Sequence, residues 1–122
     1  MYKRILSVCF LALWILCCGT VSAQRSIEQY DSDKHYKQAV ELFDREKYTA
    51  ARKLFEDLMD AATDNRDFTY SNSQYYVALC AIELTQPDAE SLLMRFISDN
   101  PDNPKTPYAN FRMASYHYNN RR

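Results

Sequence analysis

Glycine is almost missing from this chain of 122 residues: there is one, Gly19, and it lies in the apolar N-terminal stretch. Tight hairpin turns that need positive φ then have no natural occupant, which argues against a β-hairpin architecture. An excess of charge is missing too. Fifteen bases against sixteen acids leave a formal charge of −1, with no basic stripe to attract a nucleic acid. No Asn-x-Ser/Thr sequon occurs, so nothing requires N-glycosylation, which leans toward a bacterial envelope protein. There are four cysteines, but Cys9, Cys17 and Cys18 all fall in the first eighteen residues and only Cys80 lies elsewhere. A long hydrophobic run is also lacking, because the apolar stretch Ile5 to Cys18 has fourteen residues, short of the roughly 18–20 that span a bilayer.

What is present at the N-terminus has the parts of a secretory signal. Tyr2-Lys3-Arg4 is a positive n-region, Ile5 to Cys18 an apolar core, and Val21-Ser22-Ala23 a small-residue site with cleavage expected between Ala23 and Gln24. Lipidation is disfavoured, since Leu16 precedes Cys17 and Cys17 precedes Cys18 where a small residue is wanted. Removal of residues 1–23 takes away Lys3 and Arg4 but no acid, which moves the charge to −3. It also leaves one thiol, which forms no internal disulfide, so packing alone must hold the fold.

The remainder is rich in Ala, Leu, Glu, Lys and Arg and reads all-α. Apolar residues recur with helical spacing at Tyr36, Ala39, Val40, Leu42 and Phe43, then at Ala51, Leu54, Phe55 and Leu58, across the short polar break Asp44 to Lys47. A break that short makes the two helices antiparallel neighbours. The arrangement recurs with a helix from about Ser71 to Leu84, the break Thr85 to Asp88, and a helix from Ala89 to Ser98 stopped by Pro101. Pro87 suits a first helical turn, and Asp88 and Glu90 favour the positive end of the helix dipole. A third helix is expected from Tyr108 to about Asn119.

The spacings repeat as well. Ala39 to Ala51 is twelve residues, Ala78 to Ala89 eleven, Ala78 to Ala114 thirty-six, and Ala39 to Ala78 thirty-nine, the last lengthened by the polar stretch 62–67. With Tyr48-x2-Ala51-x3-Phe55 and Ala89-x3-Leu93…Pro101, these residues resemble tetratricopeptide repeats. His35, Gln74 and Asn110 replace the large aromatic early in each first helix, and Gln38 stands where a leucine is usual. The resemblance implies an antiparallel helix-pair solenoid, a superhelix of two helix pairs plus one unpaired helix, preceded by a signal-peptide helix. Its expected divisions are 1–23 signal, 24–34 polar lead, and repeats over 35–61, 71–101 and an incomplete 105–122. The stretch Asp88 to Pro101, followed by Asn103-Pro104-Lys105-Thr106-Pro107-Tyr108-Ala109, is similar to the repeat type of periplasmic proteins such as the YfiO/BamD-like outer-membrane assembly component, the Tol-Pal-associated coordinator, and envelope repeat proteins of Bacteroidetes.

No reaction-bearing constellation is found. His35 and His117 lack metal-ligand spacing, and Asp31-Ser32-Asp33 lacks the glycine and closing carboxylate of a calcium loop. Neither a nucleophile elbow, a phosphate-cradling loop nor a C-x-x-C occurs, and Cys80 reads as a small packing residue. No enzyme activity, metal or cofactor is expected.

The resemblance places Tyr36, Val40, Phe43, Tyr75, Leu79, Ile82, Phe111, Ser115 and Tyr118 on the concave groove, where first helices contact a partner peptide or helix. Two uses are open to these side chains, partner contact and ordinary packing between helices. The expected function is a non-catalytic periplasmic or outer-membrane-associated scaffold that binds envelope proteins, with membrane contact only through the signal segment or a partner. An uncleaved N-terminal helix holding the same array at the inner membrane is the alternative. The last helix ends in Asn119-Asn120-Arg121-Arg122 without a mate, as expected of an N-terminal piece of a longer repeat protein or of a truncated product.

Overall fold

A computed structural model describes the backbone of residues 21–64 and 67–120 and the side chains of 31–64 and 67–120. Among these residues the structure is all-helical: α1 Val21–Asp44, α2 Tyr48–Ala61, α3 Phe68–Glu83, α4 Ala89–Asp99 and α5 Thr106–Asn120. The chain divides into two units, Met1–Asp31 and Ser32–Arg122, and the packing below belongs to the second. The apolar run Ile5 to Cys18 lies outside the described residues.

Three boundaries differ from expectation. The polar stretch 24–34 is helical, lying within Val21–Asp44 with no Pro or Gly to interrupt it. Helix α3 begins at Phe68 rather than near Ser71, and Thr69 in its first turn is buried. Helix α5 begins at Thr106 rather than Tyr108, since Pro107 in the first turn costs no hydrogen bond.

Two of the four inter-helix breaks, those after α1 and α3, are built alike despite the lack of glycine. At the end of α1 the Glu46 N–H donates to the Phe43 carbonyl and the Lys47 N–H to the Leu42 carbonyl, both at 2.9 Å. At the end of α3 the Thr85 N–H donates to Ile82 at 3.0 Å and the Gln86 N–H to Ala81 at 2.8 Å. Each is a Schellman closure, in which one residue turns left-handed so that the last carbonyls find donors. Those residues are Glu46 at φ 59° and Thr85 at φ 54°. They are thirty-nine apart, the same offset as Ala39 and Ala78, so the internal repeat of the sequence is also a repeat of backbone geometry.

Small residues let the helices approach. Ala39, Ala51, Ala78, Ala89 and Ala109 are fully buried, beside Phe55, Leu93 and Phe96. Two apolar clusters result. One joins Ala39 of α1 to Phe55 and Leu58 of α2 and to Val77 and Cys80 of α3; the other joins Tyr75, Ala78 and Leu79 of α3 to Leu93 and Phe96 of α4 and to Ala109 of α5. Phe43, Tyr76 and Leu92 touch both, so α3 is shared between the clusters. The Tyr76 ring stacks on Phe55 at 4.8 Å and takes Phe43 on edge at 5.2 Å. Such ring pairs add about 0.5–1.5 kcal/mol each beyond their buried area.

A candidate partner-binding face on the last helix

Of the nine groove residues, six are drawn into packing. Tyr36 sets its ring edgewise on Phe55 and Tyr76, at 5.9 and 6.3 Å, and burial pushes its hydroxyl up to about 12. Val40 and Phe43 lie against the first cluster, Ile82 against the second, and Leu79 is buried within the second. Tyr75 is 9% exposed with its ring 5.3 Å from that of Phe96. These six are held by the helices around them.

Phe111 and Tyr118 are more exposed. They are 70% and 62% exposed, and Tyr108, which the groove assignment omitted, is 67% exposed. Ser115 lies between them and donates its hydroxyl to the Phe111 carbonyl at 3.0 Å. Positions 108, 111, 115 and 118 are three, four and three apart, so they form one stripe along α5. Thr106, Ala109 and Met113, which pack inward, fall on the opposite side of the same helix. The spacing was available in the sequence, but spacing does not say which stripe of a helix the protein covers.

Polar contacts fix how α5 is rolled. Arg112 pairs with Glu83 of α3, and His117 Nε2 lies 3.5 Å from Glu90 of α4. At the start of the helix the Thr106 hydroxyl donates to the Asn100 carbonyl at 2.6 Å, and Asn103 accepts the Lys105 N–H at 2.9 Å. Gln74, where the repeat pattern has a large aromatic, is buried and donates to Asp99 at 2.9 Å while accepting from Asn100 at 2.8 Å. A polar side chain thus ties α3 to the segment leading into α5, at the cost of an aromatic contact there. The Lys105 ammonium rests over the rings of Tyr75 and Tyr76, at 5.3 and 5.1 Å, a cation–π contact with α3.

On the other flank, Arg52 of α2 reaches the break between α3 and α4. Its guanidinium donates to Asp88 at 2.8 Å, to Glu56 at 2.8 Å and to Gln86. The hydrogen bond from Arg52 holds the Asp88 carboxyl below the usual carboxylate range.

Elsewhere the chemistry is sparse. An open depression beside α4, lined by Pro87, Glu90, Ser91, Met94, Arg95 and Ser98, has one carboxylate and neither imidazole nor thiol. Cys80 is buried and free, and desolvation pushes its thiol up to about 12, which suppresses the reactive thiolate. Among the described residues no group of His, Cys, Asp and Glu is placed to hold a metal, and no helix is long and apolar enough to cross a membrane. Comparison with protein families, curated proteins and solved structures finds no match for this chain.

Proposed function

We propose that the protein is a non-catalytic protein–protein interaction scaffold of the bacterial cell envelope, built as a short tetratricopeptide-like solenoid. Residues 1–23 act as its export signal, and it works in the periplasm or on the periplasmic side of the outer membrane. The observation that carries the binding role is the exposed aromatic stripe on α5, because clustered exposed apolar side chains mark interaction sites. The repeated Schellman turns, thirty-nine residues apart, and the sharing of α3 between two clusters support the solenoid reading. Tyr and Phe side chains supply large contact area with little rotamer freedom to lose, which suits a partner peptide or helix.

Crosslinking and pull-down from an envelope fraction test this, with Phe111→Ala and Tyr118→Ala beside the wild type. Both positions are exposed, so the variants are expected to keep the wild-type circular dichroism and to lose partners. If both fold normally and recover the same partners, the scaffold reading is wrong. The second reading, an adaptor held at the inner membrane, rests on the apolar run Ile5 to Cys18. N-terminal sequencing separates the two: Gln24, free or cyclised, supports export with cleavage, and Met1 supports the anchored form.

A further inference from the structure

We infer that Met94 is a reversible oxidation site, the position among the described residues at which hydrogen peroxide modifies the folded protein. Residues 24–122 contain four sulfur atoms, those of Met59, Cys80, Met94 and Met113, and side-chain sulfur is what a two-electron oxidant attacks first. Three of the four are withheld by the fold. Cys80 is fully buried in the first cluster with its thiol pushed up to about 12, so the thiolate that peroxide needs is scarce. Met59 is half-buried against the first cluster, and Met113 against the second. Met94 is 55% exposed and belongs to neither.

The roll of α4 decides this. Ala89, Leu93 and Phe96 are buried, so the stripe they form faces the core, and Met94, one residue past Leu93, is turned about 100° away from it. With Pro87, Glu90, Ser91, Arg95 and Ser98 it lines the open depression on that side of the helix. None of those residues carries an aromatic ring to cover the sulfur. A molecule as small as hydrogen peroxide reaches the thioether there with no movement of the helices.

A lone pair of the thioether attacks one oxygen of the peroxide. The S–O bond forms, the O–O bond breaks, and the leaving hydroxide takes the proton of the transferred oxygen, giving methionine sulfoxide and water. Sulfur loses two electrons and the peroxide gains them. The product is a polar side chain in place of a flexible apolar one, a change that breaks packing inside a core. At Met94 it instead sets a hydrogen-bond acceptor in the depression, with Ser98 one turn along the same face. The core is kept while the surface of α4 becomes polar. An exposed sulfoxide also stays within reach of a methionine sulfoxide reductase, which restores the thioether as the oxygen leaves in water and a dithiol is oxidised to a disulfide.

The test is a time course of the full chain in dilute hydrogen peroxide, read by mass spectrometry. Trypsin puts the three methionines in separate peptides, Leu54–Arg66, Asp67–Arg95 and Met113–Arg121, and fragment ions separate Met94 from Cys80 in the second. Met94 is expected to gain its oxygen roughly fivefold or more faster than Met59 or Met113 in the folded protein, and at the same rate as they do in denaturing urea. The singly oxidised protein is expected to keep its circular dichroism, with Tm within about 4 °C of the unmodified protein. Both types of sulfoxide reductase together, with dithiothreitol, are expected to remove the oxygen. Met94→Leu, a volume-conserving change at an exposed position, is expected to abolish the fast phase and leave the slow ones. Oxidation of Met59 or Met113 as fast as Met94 in the folded protein overturns the inference, as does a Met94 preference that persists in urea. Unfolding on single oxidation also overturns it, and so does a sulfoxide that the reductases leave in place while they reduce free methionine sulfoxide.

Discussion

Thr85→Gly is expected to stabilise the protein, although glycine weakens nearly every other helical position. Thr85 sits at φ 54°, where a β-carbon crowds the backbone and a branched side chain crowds it further. The left-handed conformation costs an L-residue roughly 1–2 kcal/mol, and glycine returns about 0.5–1 kcal/mol of that through the greater freedom of the unfolded chain. The net gain is about 0.5–1 kcal/mol, equivalent to about 2–8 °C in Tm for a domain of this size. Glu46→Gly acts in the same direction by a smaller amount, since Glu46 at φ 59° is not branched at Cβ. Ala114→Gly serves as the opposite-sign control: Ala114 is exposed inside α5, and glycine there costs about 1 kcal/mol in helix propensity. The assay is thermal and urea unfolding followed by circular dichroism at 222 nm. If Thr85→Gly melts at or below the wild type while Ala114→Gly shows its expected loss, the left-handed Schellman closure at that turn is refuted.

Phe55→Ala removes a fully buried ring stacked on Tyr76, and a loss of about 3–5 kcal/mol is expected by urea unfolding; a loss under 1 kcal/mol contradicts the packing of the first cluster. Asp88→Asn is expected to cost about 1–2 kcal/mol at pH 7, a modest figure because the carboxylate is partly exposed. The folded pKa of Asp88 lies below its ordinary value of 3.8, so the contribution is present above that value and is lost as pH falls through the folded pKa. The stability difference between wild type and Asp88→Asn should therefore close in strong acid, and a difference that persists unchanged there rules out the Arg52 ion pair as its source.

Much of the helical order was legible in residue spacing. The apolar periodicities around Ala39, Phe55, Ala78, Leu93 and Met113 mark five helical segments that the structure contains, and the positions of the breaks follow from Asp44 to Lys47 and from Thr85 to Asp88. The starts of helices were less legible. Phe68 and Thr106 open α3 and α5 without a side-chain signal strong enough to mark them; Asp67, which precedes α3, makes no capping hydrogen bond with its side chain. The left-handed turns were invisible, because their usual marker is glycine and this chain places Glu46 and Thr85 there instead.

Composition and spacing by themselves pointed to the helical character of the described residues and to the short polar breaks between helices. These properties are local: a 3.6-residue period and a missing residue type are readable without knowing what lies across the fold. Which aromatic residues face inward was decided only by tertiary structure. Tyr75 and Phe111 occupy the same place in their helices, thirty-six residues apart, yet Tyr75 is held between α3 and α4 while Phe111 lies open on α5. The physical reason is that burial belongs to a pair of surfaces: α3 has helices on two sides, whereas α5 packs with one side and leaves the opposite stripe to water.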